Sequence, residues 1–503
     1  MYLRSVISRG GTTACAASLF RRSCFNMPLR AKILDSRIGS RAQMSTSPVS
    51  ETIKELPGDE SHDVVFNNLY GVRTIELNRP GKLNALNGSM IRKIIPRMVE
   101  WERSDMANVV VMKGAGDKAF CAGGDVGALA LQNKEGPEGQ KASTDYFALE
   151  YKLNHYIATY QKPYIAFMDG ITMGGGVGLS IHAPFRIATE RTVFAMPETT
   201  IGFFPDVGAS FFLPRMAGAI GTYLALTSDK LTGANVFYSG VATHYLHSTS
   251  LPNLESRLAE LRFKDYDSLE KRLAIIEMTI EEYVTGLPPT EPILLGGELR
   301  RAIDRCFSHT NVADVILALR QEQGSTKEWA EKTLHTLHQR SPTAVHVALR
   351  QMRVGRDWSI AETFEREHQI AAKFMRHPDF TEGVTARLLD KAKPTPKWQP
   401  ASLEAVKPDD NIEASFFEVD NDLPKLSLLT TRDYGEYPYR SLGAPTEKDV
   451  EAFVRNRPMT PQQVISHFVA SKKGRQGIST IVEEILHRKT VFNESGNLMW
   501  DSE

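Results

Sequence analysis

Cysteine is scarce in this chain of 503 residues, and long apolar runs are missing from it altogether. The four cysteines lie at positions 15, 24, 121 and 306, with no closely spaced metal-binding pair, so we expect neither a disulfide framework nor a zinc site. The lack of any run of about 18 apolar residues argues against a membrane span. The chain is 42% hydrophobic and long enough for two or three domains with a sizeable core.

Net charge is also absent, since 60 Lys and Arg balance 60 Asp and Glu, but the charges are unevenly distributed. Residues 1–45 contain eight basic residues and one acid, Asp35, among Ser, Ala and short apolar groups. This composition predicts a mitochondrial transit peptide; the alternative is a basic arm that binds nucleic acid or acidic lipid. The remaining 52 basic and 59 acidic residues disfavour nucleic-acid binding by the rest of the chain.

Short strand-like runs alternate with helical stretches between residues 64 and 246. One of them, Val72–Leu77, alternates apolar and polar residues. Three others are short apolar runs that end near a glycine or a turn, namely Val109–Lys113, Ile165–Met168 and Phe185–Ala188. Repeats of strand, strand and helix predict an α/β fold with mixed sheets, which we place in residues 60–250.

The chain beyond this core has a helical pattern. In residues 251–395 apolar positions recur at helical spacing, and one helix is predicted to begin after Ser341 as its N-cap. We assign no chemistry to these helices. The proline-punctuated stretch Lys391–Pro400 is interpreted as a linker or an extended strap, and residues 396–433 are interpreted as a linker.

The last segment, residues 434–503, is interpreted as a small appended helical module. Thr446 and Thr460 are predicted to begin two of its helices, and Ser479–His487 supplies a third. Such a module could stabilise an enzyme as a cap, or it could bind a partner.

Two glycine-rich segments could bring the backbone close to a ligand. In Lys118–Asp125, the N–H of Ala122 is expected to face a substrate oxygen, and Asp125 is expected to cap the next helix. In Asp169–Ser180, Gly174–Gly178 begin a helix directly after a strand, where unpaired N–H groups attract anions. Alone, the first segment could be an ordinary turn. The second could mimic a phosphate-binding loop, although the Walker Lys-Ser/Thr pair is missing.

A third segment, Phe194–Gly208, carries two carboxylates in apolar surroundings. Glu198 and Asp206 lie eight residues apart in it. Apolar surroundings raise the pKa of a carboxylate, which permits acid–base or nucleophilic roles near neutral pH. The alternative is a pair of ordinary helix caps.

In this order and spacing, the three segments resemble the crotonase superfamily, and within it the 3-hydroxyisobutyryl-CoA hydrolases. The likeness covers about residues 62–400 and includes Leu77–Pro80, Asn84–Leu86, Lys113–Gly116, Lys162–Tyr164, Ala195–Thr199, Ala242–His244, Ser341–Thr343 and Glu382–Val384. It implies a crotonase-like spiral of repeated ββα units, completed by the helices of residues 251–395 and followed by the appended helical module.

The resemblance also implies roles for individual residues. The N–H groups of Ala122 and Gly175 would form an oxyanion hole, and Glu198 and Asp206 would be the catalytic carboxylates. Glu150 would contact the substrate together with Gly175 and the two carboxylates. The residues expected to bind coenzyme A are Lys82, Leu83, Ala85 and Asp125.

Gly178 separates this chain from one branch of the superfamily that it resembles. In enoyl-CoA hydratases an acid stands at this position, and a second acid corresponds to Glu198. Because one of the two acids is missing here, simple addition of water to a double bond is disfavoured.

The implied reaction is hydrolysis of 3-hydroxyisobutyryl-CoA in mitochondrial valine breakdown, without a metal or redox cofactor. Glu198 would act either as a nucleophile or as a general base, and the sequence leaves both routes open. Another crotonase activity on a 3-hydroxyacyl- or enoyl-CoA is one alternative. The other is a structural role as a hydrolase-like subunit of the mitochondrial small ribosomal subunit, suggested by the basic N-terminal segment and the extra C-terminal helices. We expect a location in the mitochondrial matrix, an acyl-CoA partner, and contact with neither membranes nor, directly, nucleic acid.

Overall fold

The computed structural model describes residues 53–501, apart from residues 289, 391, 393 and 394 and the side chain of residue 408. The predicted transit peptide, residues 1–45, lies outside the described residues. Within the described part of the chain, no helix combines the length and the apolarity that crossing a membrane requires.

A six-stranded sheet forms the larger β layer. Its strands are β1 (Val64–Leu69), β2 (Val72–Leu77), β3 (Val109–Gly114), β5 (Tyr164–Met168), β7 (Phe185–Ala188) and β10 (His244–Tyr245). They lie side by side in the order β1-β2-β3-β5-β7-β10; β1 pairs antiparallel with β2, and the other neighbours run parallel. β5 and β7 are buried along their whole length, as strands are when both faces of a parallel sheet are covered.

A smaller sheet of four short strands carries the site-forming turns. Its strands are β4 (Ala119–Cys121), β6 (Ile171–Met173), β8 (Val193–Ala195) and β9 (Leu231–Thr232), in that spatial order. Each of β3, β5 and β7 is followed in the chain by one strand of this sheet, and then by a helix or helical turn. The predicted α/β fold of repeated ββα units is therefore confirmed.

Helices surround the sheets and fill the second half of the chain. In the first half they are α1 (Gly88–Arg103), α2 (Val126–Asn133), α3 (Pro137–Ala158), α4 (Gly175–Ser180), α5 (Ala209–Phe212), α6 (Ile220–Thr227), α7 (Ala234–Tyr238) and α8 (Leu251–Ala259). Further along they are α9 (Leu269–Glu281), α10 (Gly297–Phe307), α11 (Val312–Gln321), α12 (Lys327–His338), α13 (Pro342–Val354), α14 (Ile360–Arg376) and α15 (Pro378–Val384). The remaining ones are α16 (Ala414–Phe417), α17 (Glu447–Asn456), α18 (Pro461–Ser471) and α19 (Ile478–Lys489).

The predicted helix starts agree with the observed N-caps. The hydroxyl of Ser341 accepts a hydrogen bond from the N–H of Ala344 at 3.1 Å, and α13 follows it. Thr446 and Thr460 both form capping boxes, in which the cap and the third helical residue exchange hydrogen bonds. The third C-terminal helix begins at Ile478, one residue before the predicted start.

Residues 396–433 pack against the body of the protein as a strap. Phe416, within this strap, lies 4.6 Å from Phe374 of α14 between ring centroids. The guanidinium of Arg432 pairs with the carboxylate of Glu102 at 2.8 Å, and its carbonyl oxygen is 3.0 Å from Nε2 of His155. Residues 396–433, which the sequence predicts to be a linker, therefore pack along the body of the protein.

The C-terminal module shares the core of the enzyme-like body. Its buried residues Val450, Val464 and Ile478 belong to the same apolar cluster as Ile303 of α10. The side chain of Arg475 is almost fully buried and donates at 3.1 Å to the carbonyl of Thr243, the residue before β10. The module also contains two strands that the sequence pattern did not predict, β11 (Thr490–Phe492) and β12 (Leu498–Trp500), paired antiparallel.

Candidate active site

The second glycine-rich segment begins a helix at the predicted place. β6 ends at Met173, Gly174 is the N-cap with a φ of +46°, and α4 begins at Gly175. A residue with a side chain rarely adopts this φ, so the tight strand-to-helix turn requires glycine at position 174. Because Gly175 is the first residue of the helix, its N–H has no acceptor within the helix.

Two carboxylates flank the beginning of α4. A Cβ built on Gly175 would lie 2.5 Å from Oε1 of Glu150, and one built on Gly174 would lie 3.1 Å from Oε1 of Glu198. Glu150 comes from α3, and Glu198 from the helical turn Glu198–Ile201 that follows β8. The fold thus brings together residues that are far apart in the sequence.

Both carboxylates are buried and incompletely hydrogen-bonded. Glu150 is 2% exposed and Glu198 is 5% exposed. Oε1 of Glu150 and Oε2 of Glu198 accept no hydrogen bond from any residue that the structure describes. A buried polar atom without a partner is costly, so these two oxygens are well suited to receive a ligand group or a water molecule.

Asp206 lies in the turn that leads from the Glu198 segment to α5. Its Oδ2 accepts a hydrogen bond of 2.7 Å from the hydroxyl of Tyr151, which is the neighbour of Glu150 on α3. A fourth carboxylate, that of Glu367 on α14, accepts a hydrogen bond of 2.7 Å from the N–H of Gly208. Three of the four acids were predicted as site residues, and Glu367 was not.

Burial raises the pKa values of all four carboxyls. It raises the pKa of Asp206 to about 7, against the opposing effect of the Tyr151 hydroxyl. It raises the pKa of Glu367 to about 8, with a further contribution from the charge of Asp206. Burial, followed by the charge of Asp206, also holds the pKa values of Glu150 and Glu198 well above their ordinary range. Burial and the mutual repulsion of these acids therefore favour their neutral, protonated forms.

The prediction that Ala122 supplies the first N–H group of the oxyanion hole is wrong. Leu83 adopts a left-handed conformation, and its carbonyl oxygen accepts the N–H of Ala122 at 3.0 Å, which removes this donor from a substrate. The N–H of Gly124 has no acceptor among the described residues. The nitrogen of Gly124 lies 3.2 Å from the Cβ position of Gly175, so Gly124 and Gly175 hold the neighbouring free N–H groups.

Asp125 does not cap the helix that it precedes, which corrects a second prediction. It occupies the N-cap position of α2, but its side chain makes no capping bond. Its Oδ2 instead accepts from Arg79 at 3.0 Å and from Lys82 at 3.1 Å. Two cationic donors make stronger hydrogen bonds to a carboxylate than a helix N–H does.

The predicted coenzyme A residues lie together beside this ion cluster. Lys82 is largely exposed, and Leu83 and Ala85 are partly exposed. Arg79 links them to Asp125, because its other terminal nitrogen donates to the carbonyl of Ala85 at 2.7 Å. The structure therefore brings Lys82, Leu83, Ala85 and Asp125 to one edge of the site, and their contact with coenzyme A stays a prediction.

The position of the missing hydratase acid has no room for a side chain. A Cβ on Gly178 would lie 2.7 Å from Cβ of Val207 and 2.9 Å from Nδ2 of Asn154. Asn154 is fully buried, and neither of its amide atoms has a hydrogen-bond partner in the described part of the chain. Asn154 follows Glu150 by four residues on α3, a helical spacing that could have drawn attention to it.

Metal-type clusters are not part of this site. Among the described residues, no group of three or more His, Cys, Asp or Glu is arranged to hold a metal ion. Cys121 is buried beside the first glycine-rich turn, and burial raises the pKa of its thiol to about 12. The thiol is therefore not a nucleophile near neutral pH.

The structure combines a ββα fold with free N–H groups at two glycine turns and with buried acids beside them. Together these features define the class of this protein. The model of the enoyl-CoA hydratase/isomerase family matches residues 72–416. The chain belongs to this family, which confirms the crotonase resemblance. Carnitinyl-CoA dehydratase from Mycobacterium thermoresistibile is a solved structure with 33% sequence identity and a TM-score of 0.62; the match covers 73% of this chain and 98% of that one.

Two kinds of curated relatives match more specifically. Small ribosomal subunit protein mS47 of Neurospora crassa is 57% identical over 508 residues, which cover 99% of each chain. The mitochondrial 3-hydroxyisobutyryl-CoA hydrolase of Gallus gallus is 42% identical over 73% of this chain and 92% of the hydrolase. The protein named mS47 in Schizosaccharomyces pombe is 42% identical over 67% of this chain and 76% of its own length. The relatives confirm the predicted mitochondrial location.

Proposed function

We propose that the chain hydrolyses the thioester of a branched 3-hydroxyacyl-CoA, with 3-hydroxyisobutyryl-CoA as its substrate. The observation that carries this proposal is the buried carboxylate of Glu198. Its Oε1 lies 3.1 Å from the Cβ position of Gly174, the residue before Gly175, and its Oε2 accepts no hydrogen bond from any described residue. The likeness to the Gallus gallus hydrolase over 73% of the chain supports the choice of substrate.

The chemistry follows from where the charge develops. The thioester oxygen binds between the N–H groups of Gly124 and Gly175, which hold the negative charge of the tetrahedral intermediate. One such donor typically lowers the barrier by ~3 kcal/mol. Glu198 either attacks the carbonyl carbon, forming an anhydride that water then opens, or removes a proton from the attacking water. In both routes the C–S bond breaks, water supplies the new C–O bond, and coenzyme A leaves as the thiol.

Asp206 is assigned to the substrate hydroxyl. With an apparent pKa of about 7, it can accept or donate a hydrogen bond at neutral pH, whereas an ordinary exposed aspartate only accepts one. Gly178 supports hydrolysis over hydration, because Val207 and Asn154 occupy the space that a second hydratase acid needs.

The test follows thiol release from 3-hydroxyisobutyryl-CoA by the wild-type chain and by Glu198→Gln and Asp206→Asn. We expect Glu198→Gln to lower kcat by at least about 100-fold, because it removes the nucleophile or base while keeping the size of the side chain. A glutamine variant that retains the wild-type rate would refute the mechanism. Faster turnover of crotonyl-CoA than of the hydroxy ester would instead support the alternative of another crotonase activity.

A second role is favoured by the length of one match. The likeness to the Neurospora crassa protein named mS47 extends over 99% of this chain, including the C-terminal module, whereas the Gallus gallus hydrolase matches 73%. We therefore also propose that the chain is a component of the mitochondrial small ribosomal subunit. The two roles are compatible, because an intact acyl-CoA site does not prevent the outer surface from binding a partner.

Sedimentation of mitochondrial extracts separates the two roles. We expect the chain to migrate with small ribosomal subunits in near-stoichiometric amounts, also after a wash in high salt. Glu198→Gln serves as the matched control, since it should abolish thiol release and leave the sedimentation unchanged. A chain that remains at the top of the gradient under all conditions would contradict the ribosomal role and leave the hydrolase proposal standing.

A further inference from the structure

Glu367 anchors the turn that carries Asp206. It lies on α14, in the helical region to which the sequence assigned no chemistry, and it is completely buried. Its Oε2 accepts the N–H of Gly208 at 2.7 Å. Its Oε1 accepts the N–H of Ser210 at 2.9 Å and the hydroxyl of Ser210 at 2.7 Å. Three donors on one carboxylate fix the backbone around it, and they partly oppose the burial that raises the pKa of Glu367 to about 8.

The turn held by Glu367 has an unfavourable backbone conformation. Val207, between Asp206 and Gly208, has a φ of +55°, which is unusual for a β-branched residue. Such a conformation persists only where the surroundings over-determine it, and it is concentrated at functional sites. His182 adds one contact, with its Nε2 3.0 Å from the carbonyl oxygen of Val207.

A second helix supports the same turn. Gln351, on α13, donates from its Nε2 to the hydroxyl of Ser210 at 2.7 Å and also to the carbonyl of Pro205. Residues on both sides of Asp206 are therefore held from α13 and α14, while the Asp206 carboxylate itself is free to meet the hydroxyl of Tyr151.

We propose that Glu367 is a positioning residue, which acts through the 206–210 turn to place the Asp206 carboxylate against the acyl group of the substrate. It touches the turn, and it need not touch the substrate. This inference rests on the proposed hydrolase function and adds to it a requirement for a residue of the C-terminal helical region.

The charge of Glu367 also bears on the proton distribution in the site. The titratable groups that interact electrostatically with it are Asp206 and Glu198 from the segment before α5 and Tyr151 on α3. His182 contacts the same turn, at the carbonyl oxygen of Val207. The charge of Glu367 is one of the causes that raise the pKa of Glu198. Removal of this charge should therefore let Glu198 ionise at a lower pH.

The experiment compares Glu367→Gln with the wild-type chain in the thiol-release assay. Glutamine keeps the size, but its NH2 group faces N–H and O–H donors, so part of the anchor is lost. We expect kcat to fall by about 10- to 100-fold with a smaller change in KM, because a displaced catalytic group affects the reaction more than binding. We also expect the acid limb of the pH profile to move to lower pH, which a purely structural role would not cause. Glu362→Gln, on the same helix but partly exposed, is the matched control and should behave as wild type.

A double variant decides whether Glu367 acts through Asp206. If it does, Glu367→Gln changes the rate less than about 2-fold in an Asp206→Asn background, because the effects of coupled residues do not multiply. Equal factors in both backgrounds, or a wild-type rate and pH profile for Glu367→Gln, would overturn the proposal. If Glu367→Gln does not fold, Ser210→Ala takes its place, since it removes one bond to the same carboxylate, and the same double-variant criterion applies.

These variants distinguish failure of the Glu367 proposal from failure of the proposed hydrolase function. Wild-type rates for both Glu198→Gln and Asp206→Asn would refute the hydrolase mechanism itself. Loss of activity in those two variants, with none in Glu367→Gln, would refute only the role of Glu367.

Discussion

Gly175 is a residue at which a single methyl group should stop the proposed reaction. An Ala Cβ there would lie 2.5 Å from Oε1 of Glu150 and 3.2 Å from the nitrogen of Gly124, in the space assigned to the thioester oxygen. We expect Gly175→Ala to lower kcat by about 100-fold or more, in line with the loss of one oxyanion donor. Gly127→Ala, on the neighbouring helix α2, is the control in thiol-release kinetics. A Gly175→Ala rate within 3-fold of wild type would contradict the assignment.

Titration of the Asp206 carboxyl should make the folded chain less stable as the pH rises. Its pKa is about 7 in the folded state, against an ordinary 3.8, so the folded chain holds a proton that the unfolded chain releases between these values. The unfolding free energy therefore falls as the pH rises from about 4 to 7. Asparagine at position 206 cannot titrate. The free energy of unfolding of Asp206→Asn, taken relative to that of the wild type, should therefore rise by about 2–3 kcal/mol between pH 5 and pH 8. Denaturant unfolding at both pH values measures this gain, and an equal difference at the two would contradict it.

At the same scale, the sequence predicted the acids of the site better than its backbone donors. Glu150, Glu198 and Asp206 were identified from the family resemblance. The structure places Glu150 and Glu198 at the beginning of α4, and Asp206 accepts a hydrogen bond from Tyr151, the neighbour of Glu150. The sequence predicted the N–H of Ala122, whereas the structure leaves the N–H of Gly124 without an acceptor among the described residues. A glycine turn alone does not show which of its N–H groups are occupied, and the carbonyl of Leu83, from outside the segment, decides this.

Among the secondary-structure elements, the loop between α18 and α19 anchors the C-terminal module through Arg475. Its guanidinium donates to Oε1 of Glu277 at 3.0 Å, to the carboxylate of Glu281 and to two backbone carbonyls. Arg475→Ala leaves two partly buried carboxylates of α9 without this partner. We expect a loss of about 3–5 kcal/mol in the free energy of unfolding.

Chemical denaturation of Arg475→Ala measures this effect. Lys327→Ala is the control, because it removes an exposed ion pair of 3.9 Å with Glu331 on α12. Such surface pairs contribute about 0–1 kcal/mol. Equal stabilities of the two variants would mean that the anchor does not hold the module.

The elements themselves were largely predictable where local signals exist. The strand runs and the caps at Ser341, Thr446 and Thr460 follow from alternation and from side chains that bind nearby N–H groups. The role of α14 was not predictable, because Glu367 meets Gly208 across 159 residues of sequence. Its surface charges and apolar spacing resemble those of any covering helix.

For the whole molecule, the extension beyond residue 433 is part of the core. We expect a chain that ends at residue 433 to melt at a lower temperature and to aggregate, because it lacks Val450, Val464 and Ile478 from the apolar cluster that also contains Ile303. A matched chain lacking only residues 490–503 should lose less, since half of the described residues 490–501 are exposed and one of them, Leu498, is buried. Thermal melting with size-exclusion chromatography tests both chains. A shortened chain with the full-length melting temperature would contradict the shared core.

The ion pair between Glu102 and Arg432 bears on the order in which parts of the chain fold. The two residues are 330 positions apart, and Arg432 also contacts His155 of α3. Contacts this distant in sequence slow folding, because a long segment must be ordered before they form. A chain that is delivered N-terminus first therefore presents the surface around Glu102 and α3 uncovered until its last seventy or so residues begin to arrive. Until the strap closes, Glu102 and His155 lack their contacts with Arg432.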